Sequence, residues 1–257
     1  MTLSPEILAL AENLNMHLPF GQVEVRPDCV VCLNDDPDPH LNVVQRLRFA
    51  GADVGERIAA VRAFLRERGR CAVTWELGSS ATPADLADQL MAHGMRLDEP
   101  ESLATGMVLA QALELQPTLP ARPVATPAEY AAGERIFNAC FGGSVPDEDP
   151  AALQARFARY EAQHKTRRYL AFLDGRPVAA GDATFLAAGV VLNGSATLPE
   201  ARGRGAYRAL LDARFKDATT RGTPVAVVQA GRMSRPILAR LGFVPVCEVR
   251  IFVDEFD

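Results

Sequence analysis

One segment of the chain has the residue types of an anion-binding turn: residues 195–211, with the sequence SATLPEARGRGAYRALL. A predicted strand ends at Pro199, a glycine-rich turn follows, and a helix begins at about Arg204. The first turn of a helix carries backbone N–H groups without intrahelical partners and a partial positive charge, which suits a phosphate or pyrophosphate. Gly203 and Gly205 allow the backbone to approach such a ligand closely.

The charges of this turn point to the same chemistry. Arg202, Arg204 and Arg208 add positive charge, and no acidic residue lies between Arg202 and Leu211. The alternative is an ordinary strand-to-helix turn with solvated arginines. The turn completes neither the P-loop pattern G-x-x-x-x-G-K-[ST] nor the dinucleotide-binding pattern G-x-G-x-x-G. The turn therefore indicates an anion site without identifying the ligand.

The second half of the chain predicts the elements that position this turn. Alternation and helical spacing predict four strands before the last short helix, at 169–173, 178–185, 189–198 and 225–230. A helix is predicted over 204–221, with Tyr207, Leu210, Leu211 and Phe215 on its buried face. Two helices are predicted before these strands, at 128–140 and 150–164. After the strands, a short helix is predicted from Ser234 to Gly242, followed by a last strand at 246–253.

The first half of the chain predicts a similar order. Strands are predicted at 41–49, 71–77 and 105–110. A helix is predicted at 54–68, with Val54, Ile58, Val61 and Leu65 on one face. A second helix is predicted from Thr82, as its N-cap, to His93, with Pro83 in its first position. The segments QLMAHGM and ILARLGF, at 89–95 and 237–243, can be superposed, which indicates an ancient duplication.

A proline-rich segment, QPTLPARPVATP at 116–127, marks the predicted boundary between domains 1–117 and 118–257. Residues 1–120 carry nine arginines and 17 acidic residues, whereas the remainder carries 18 basic and 15 acidic residues. The net charge of −5 argues against a nucleic-acid-binding protein, and this asymmetry places an anionic ligand in the second half.

Composition and cysteine usage narrow the class of protein further. The 257 residues are 48% apolar, yet they contain no run of about 18 apolar residues, so no membrane span is expected. Glu6 and Glu12 interrupt the first apolar stretch, so no secretory signal is expected. Cys29 and Cys32 form a lone C-x-x-C in a β-branched run, which favours two strand cysteines over a metal or redox site. We expect no metal, and a reducing cytoplasm as the compartment.

Two motifs together resemble the GCN5-related N-acetyltransferase (GNAT) family: PEARGRGA at 199–206, and ILARLGF at 237–243. The family signature, Arg/Gln-x-x-Gly-x-Gly/Ala, lies at the start of the helix after the fourth strand. The resemblance covers about residues 120–257 in the order of the elements. It implies an α/β fold with a mixed sheet: two tandem acyl-CoA N-acyltransferase-like domains, each a mostly antiparallel sheet flanked by helices, the first a degenerate copy.

The resemblance also implies acetyl-CoA as the acyl donor and a set of residues that contact it. Edge N–H groups of the fourth strand would hold the pantetheine amides and the thioester oxygen, and the helix N-terminus the pyrophosphate. Ser234 would lie near the pantetheine or adenine end, although it is equally interpreted as a plain helix N-cap. The predicted cofactor contacts are Ser195, Ala196, Thr197, Gly203, Arg204, Gly205, Ala206, Tyr207, Arg208 and Ser234.

The chain departs from the family at the positions that serve as acid and base. Tyr207 occupies the sixth position of the signature, where the family has Gly or Ala. The positions of the family's tyrosine and asparagine are Leu238 and Gly231, and the fifth-strand glutamate falls near Ala226. We expect Asp182, an acid inside an apolar strand, to be the general base. Other candidates for the base are Glu161, His164 and a water molecule.

The sequence thus predicts an enzyme that transfers acetyl from acetyl-CoA to a primary amine by direct attack on the thioester. The acceptor would be a small molecule or a peptide, and the protein a monomer or a homodimer. The acidic loop FGGSVPDEDP at 141–150 is expected to overhang the acceptor site, which favours a cationic acceptor. Two rivals remain: a non-catalytic CoA-binding sensor or structural module, and a protein scaffold that binds no CoA.

Overall fold

The computed structural model describes residues 3–18, 21–49, 53–111, 113–142, 149–223 and 225–257. The chain divides into two compact units. Unit 1 comprises Met1–Val108 and Gln229–Asp257, and unit 2 comprises Leu109–Val228. The domain boundary at residues 117 and 118 stays a prediction, whereas the grouping of the C-terminal segment with unit 1 is a new finding.

Strands provide the framework of both units. In the described residues they are β1 (Gln22–Val25), β2 (Val30–Leu33), β3 (Val43–Gln45), β4 (Ala72–Gly78), β5 (Arg96–Leu97), β6 (Leu103–Leu109), β7 (Ala121–Pro123), β8 (Thr166–Leu173), β9 (Arg176–Phe185), β10 (Val190–Thr197), β11 (Ala226–Ala230) and β12 (Val244–Glu255).

Helices flank these strands. They are α1 (Pro5–Glu12), α2 (Val54–Arg66), α3 (Leu86–Ala92), α4 (Pro127–Phe141), α5 (Pro150–Glu161), α6 (Ala206–Thr220) and α7 (Arg235–Arg240). Among the described residues, none of the helices combines the length and the apolar character that crossing a membrane requires.

The strands of unit 1 follow the order β1-β2-β3-β4-β12-β6, and β5 pairs with β12. The pairs are antiparallel except for β3 and β4, which run parallel through Val43↔Thr74 and Val44↔Trp75. β12 lies between β4 and β6, so that Val249 is paired with Gly78 on one side and Ala104 on the other. The last strand of the chain therefore completes the sheet of unit 1.

The core of unit 1 confirms the predicted face of the helix after β3. Val54, Ile58, Val61 and Leu65 of α2 are all buried, as the 3.6-residue period requires. Trp75 of β4 is fully buried, as expected of a core residue. Its Nε1 donates a hydrogen bond to Asp254 Oδ2 at 3.1 Å. The polar atom of the buried indole ring is therefore satisfied.

Two predicted elements in unit 1 were wrong in extent. The strand predicted over 41–49 is only β3, because Pro39–Leu41 form a 3₁₀ turn and Arg46 has a φ of +55°. The helix predicted from Thr82 begins at Leu86. Thr82 donates its N–H to Leu47 O and accepts from the N–H of Phe49, so its backbone extends a ladder and cannot cap a helix.

The strands of unit 2 follow the order β11-β10-β9-β8-β7 and are antiparallel except for β10 and β11. The proline-rich segment contributes β7, which is an edge strand, where a missing N–H is tolerated.

Tyr130 of α4 packs against Phe157 and Tyr160 of α5, with ring centres 6.0 and 5.1 Å away. These helices begin and end within three residues of the predicted bounds.

The two units share a local pattern that supports the predicted fold class. In each, two antiparallel strands are followed by a helix and a strand that returns parallel to the second: β2-β3-α2-β4 in unit 1, and β9-β10-α6-β11 in unit 2. The predicted fold, mixed and mostly antiparallel sheets flanked by helices in tandem copies, is confirmed.

Candidate functional site

The candidate site in unit 2 begins where β10 parts from β11. Among the described residues these strands pair only through Val190↔Ala226 and Val191↔Val227. A bulge follows at Gly194, which has a φ of +46°. Beyond it, residues 195–197 stay paired with β9 on their other side. One edge of β10 is therefore left with backbone N–H and C=O groups that can bind a ligand.

The turn after β10 presents a helix N-terminus to the same region. Pro199–Ala201 form a 3₁₀ turn, and α6 begins at Ala206. Gly205 is the N-cap and supplies no side-chain hydrogen bond, and no acidic residue lies in the first turn. The free N–H groups of this turn, together with the helix dipole, make an anion-binding position.

The two glycines are required by backbone conformation. Gly203 and Gly205 have φ values of +73° and +88°, which side chains other than glycine rarely adopt. A Cβ on Gly205 would also lie 3.0 Å from Thr118 Oγ1, whereas a Cβ on Gly203 would meet nothing within 4 Å. A side chain at Gly203 would therefore meet open space, whereas one at Gly205 would come close to the Thr118 hydroxyl.

The side chains around the turn fall into exposed and buried groups. Arg202, Arg204 and Arg208 are exposed, and Arg202 Nε donates to Thr197 O at 3.3 Å. Ala206 is buried and Tyr207 half-buried, and this burial raises the pKa of Tyr207. Tyr207 therefore packs towards the interior as predicted, and the arginines provide the accessible charge.

The strand residues predicted to contact the cofactor lie together on β10. Ser195 and Thr197 are half-buried and Ala196 is buried. The thiol of Cys140, on α4, donates to the carbonyl of Thr197 at 3.5 Å. These three residues follow the bulge directly, so the structure brings them together with the turn that the sequence singled out.

Asp182 does not stand in the environment expected of a free general base. It is buried, and its Oδ1 and Oδ2 accept from Arg168 Nε and Nη2 at 2.9 and 3.1 Å. Burial acts to lower the pKa of Arg168, but the charge and hydrogen bonds of Asp182 outweigh it and raise that pKa. This ion pair favours a structural role for Asp182, and its role as a base stays a prediction.

The structure also reveals a buried cation that the sequence analysis missed. Arg214 of α6 is completely buried, and burial lowers its pKa. Its Nη1 donates to the backbone carbonyl of Asp182 at 3.0 Å, and its Nε to Leu210 O at 3.1 Å. The signal available in the sequence was the spacing of Arg214, four residues after the apolar Leu210 and next to Phe215, on the predicted buried face.

The surroundings of the other predicted residues are as follows. Ser234 belongs to unit 1 and occupies the N-cap position of α7, as the N-cap interpretation expects. Its side chain accepts no capping hydrogen bond, and its Oγ donates to Gly231 O at 3.3 Å instead. The role of Ser234 as a cofactor contact stays a prediction. Glu161 and His164, the alternative bases, are exposed. Residues 143–148 of the acidic loop lie outside the described residues.

The thiols and potential metal ligands give no second reactive centre within the described ranges. No group of three or more His, Cys, Asp or Glu side chains there could hold a metal ion. Cys29 and Cys32 are buried and free, and burial raises the pKa of each to about 12. A pKa in that range keeps both thiols protonated and unreactive.

Comparison with known proteins agrees with the site geometry. Residues 130–243 match the model of the acetyltransferase (GNAT) family. The fold is similar to a GCN5-related N-acetyltransferase from Kribbella flavida, with a TM-score of 0.68 and 20% identity, covering 98% of this chain and 96% of that one. No curated protein matches the sequence.

Two further solved structures share the fold. One is a GCN5-related N-acetyltransferase from Sphaerobacter thermophilus, with a TM-score of 0.62 and 16% identity, covering 88% of this chain and 76% of that one. The other is a tandem GNAT protein from the clavulanic acid biosynthesis pathway, with a TM-score of 0.57 and 18% identity over 88% and 78%. Residues 130–243 therefore match the acetyltransferase (GNAT) family, which supports an acyltransferase function, in a chain that shares its fold with a tandem GNAT protein.

Proposed function

We propose that unit 2 binds acetyl-CoA and that the protein transfers the acetyl group to a primary amine on a small molecule or a peptide. The single observation that carries this proposal is the parting of β10 from β11 next to an uncapped helix N-terminus that lacks acidic residues. The edge of β10 suits an extended amide chain, and the helix N-terminus suits a pyrophosphate.

The binding roles follow from chemistry and exposure. N–H groups of the first turn of α6 would hold the pyrophosphate, because Gly203 and Gly205 keep the turn free of side chains. Arg204 and Arg208 are exposed and would add charge-assisted hydrogen bonds. The edge groups of residues 195–197 would pair with the pantetheine amides and donate to the thioester oxygen.

The transfer would proceed by direct attack. The amine lone pair forms a C–N bond to the thioester carbon, and the C–S bond breaks with CoA leaving as a thiolate. A thiol with a pKa of about 8.5 leaves without much help from an acid. The attacking nitrogen loses its proton to a base, which contributes roughly 10²–10⁴-fold to such a rate. Asp182, Glu161, His164 and a bound water remain the candidates for that base.

A second candidate function is a CoA-binding module without catalysis. Leu238 and Gly231 stand where the resemblance expects the tyrosine and asparagine of the family, and Leu238 is fully buried. Asp182 is engaged by Arg168 through both carboxylate oxygens. A CoA-binding module without catalysis would need neither an acid nor a base at these positions.

Binding is tested first by titration calorimetry with CoA. The variant Gly205→Glu places a negative charge and a side chain at the proposed pyrophosphate position. The matched control is Gly222→Glu, at the other end of α6, which has a similar φ of +76° and open space around it. We expect Gly205→Glu to weaken CoA binding at least about tenfold, or 1.4 kcal/mol, and the control to leave it unchanged. Equal affinities in all three proteins would refute the placement.

Catalysis is tested next by single-turnover transfer from acetyl-CoA to a panel of primary amines. Formation of an acetylated amine by the wild-type protein supports the enzyme. Tight acetyl-CoA binding with no transfer at any pH supports the non-catalytic module. Absence of CoA binding by the wild-type protein would overturn both.

A further inference from the structure

The buried positive charge of Arg214 has no counter-ion among the described residues. Nε and Nη1 donate to backbone carbonyls, and Nη2 is buried without a hydrogen-bond partner. A buried charge is costly unless it is paired and hydrogen-bonded. The Arg214 guanidinium would therefore be stabilised by a negatively charged partner, and the described part of the chain supplies none in contact with it.

The acids that face this region are already engaged. Both carboxylate oxygens of Asp182 accept from Arg168, on the side of the sheet that packs against α4. Asp217, on the same helix as Arg214, accepts a hydrogen bond from the Tyr169 hydroxyl. Asp212, the other buried acid of α6, pairs with Lys216 at 2.8 Å. Asp182 is therefore the buried carboxylate whose charge acts on both Arg168 and Arg214, although it forms an ion pair only with Arg168.

The guanidinium of Arg214 lies beneath the bulge of β10. A Cβ placed on Gly181 would be 3.0 Å from Arg214 Nη1 and 3.2 Å from the carbonyl oxygen of Gly194, so both groups lie close to one point. Gly181 is itself the β9 partner of Ser195. The absence of a side chain at Gly181 provides the space in which the guanidinium reaches the bulge.

The length of α6 is an independent indication that Arg214 lies near the bulge of β10. Arg214 follows Ala206 by eight residues, about 12 Å along α6. The helix starts from the end of β10 and packs along the strand, and Gly194 lies three residues before Thr197, about 10 Å back along it. The charge therefore lies away from the pyrophosphate position and close to the bulge. The bulge adjoins residues 195–197, whose edge groups we assign to the pantetheine amides and the thioester oxygen.

We propose that Arg214 is a positioning residue that acts electrostatically through the bulge of β10: its buried charge stabilises the negative charge that forms on the acyl group and then on the CoA sulfur. This inference rests on the proposed function. The amine lone pair forms the C–N bond and the carbonyl π pair moves to oxygen. The oxyanion then collapses, the C–S bond breaks, sulfur leaves with the electron pair as thiolate, and the nitrogen proton passes to water.

The test compares Arg214→Met, Arg214→Lys and Arg214→Gln with the control Arg221→Met. Arg221 lies at the end of α6 over the Phe185 ring, 4.3 Å from its centre, so the control removes a packed arginine of the same helix. Two quantities are measured on the CoA complex: the dissociation constant, and the pKa of the bound CoA thiol from its thiolate absorbance. Where turnover is measurable, kcat and KM are added.

We expect Arg214→Met and Arg214→Gln to raise the pKa of the bound thiol by about one unit, a tenfold shift in its ionisation. Loss of one preorganised stabilising group costs roughly 10²–10³-fold in rate. Because Arg214 acts at a distance, we expect kcat to fall about 10–100-fold, with the CoA dissociation constant within about threefold. Arg214→Lys, which keeps the charge, should restore most of the thiol pKa and of kcat.

The outcomes separate this inference from the proposed function. Wild-type CoA binding, with the same thiol pKa in the Met, Gln and wild-type proteins, overturns the role of Arg214 and leaves the proposed function intact. A Lys variant as defective as Gln also overturns it, because the charge is then not what matters. If Arg214→Met does not fold, as judged by circular dichroism, the Lys and Gln pair decides the question. A wild-type protein that binds no CoA overturns both proposals.

Discussion

A buried glutamate in unit 1 should make the stability of this protein depend on pH in an unusual direction. Glu76 of β4 is 8% exposed, and its Oε1 accepts from Asn15 Nδ2 at 2.7 Å. Burial raises its pKa from an ordinary value of 4.5 to about 7, although the hydrogen bond from Asn15 acts to lower it. The folded state therefore favours the protonated carboxyl.

The neighbouring strand explains how that proton is accommodated. Val44 pairs with Trp75, so Gln45 and Glu76 occupy the next positions of the parallel register. Glu76 Oε2 and Gln45 Oε1 are both buried without a partner among the described residues. A proton on Glu76 converts one of these acceptors into a donor, and we expect it to bond to Gln45. The pKa of the Cys32 thiol is also raised, mainly by burial and secondarily by the negative charge of Glu76.

The magnitude follows from the shift in pKa. The stabilising contribution of protonated Glu76 is fully present below about pH 4.5 and is lost as the pH rises through about 7. At 1.36 kcal/mol for each pKa unit, the loss is on the order of 3 kcal/mol. The variant Glu76→Gln keeps the shape of the side chain but does not titrate, so it should lose this part of the pH dependence.

The measurement is the free energy of unfolding in urea at pH 5 and pH 8, for the wild-type protein and Glu76→Gln. We expect the stability of the variant relative to wild type to increase by about 2.5 kcal/mol between the two pH values, because a small part of the contribution is already lost at pH 5. Glu67→Gln is the control, because the Glu67 side chain is 75% exposed and should show no such change. A difference between Glu76→Gln and wild type that stays constant with pH would refute the assignment of a proton to Glu76.

Two further predictions concern unit 2 and the duplication. Asp182→Asn should lower the free energy of unfolding by about 3–5 kcal/mol, since it leaves Arg168 buried without its anion; an unchanged stability combined with a lower rate at neutral pH would instead support Asp182 as the general base. Saturation binding should give one CoA per chain, because Asp53 and Glu56 place negative charge at the start of α2 and repel a pyrophosphate. A stoichiometry of two CoA molecules per chain would overturn this interpretation of unit 1. Residues 50–52, which precede α2, lie outside the described residues.

The sequence by itself determined the features that depend on local interactions. The buried face of α2 and the position of α6 follow from a 3.6-residue period, which neighbouring residues along the chain establish alone. The turn at Gly203 and Gly205 follows from the backbone conformations that only glycine adopts readily. The resemblance to the acetyltransferase family rested on this turn together with the short helix motif at 237–243, and both are local sequence features.

The tertiary structure decided the features that depend on partners distant in the sequence. β12 completes the sheet of unit 1 because its pairing partners, β4 and β6, are provided by the first half of the chain. Thr82 extends a ladder instead of capping a helix because Leu47 and Phe49 lie beside it. Charged side chains depend on distant partners in the same way, because the fold decides whether an acid or an arginine lies next to a counter-ion. Asp182 acquires one in Arg168, whereas Arg214 has none within the part of the chain that the structure describes.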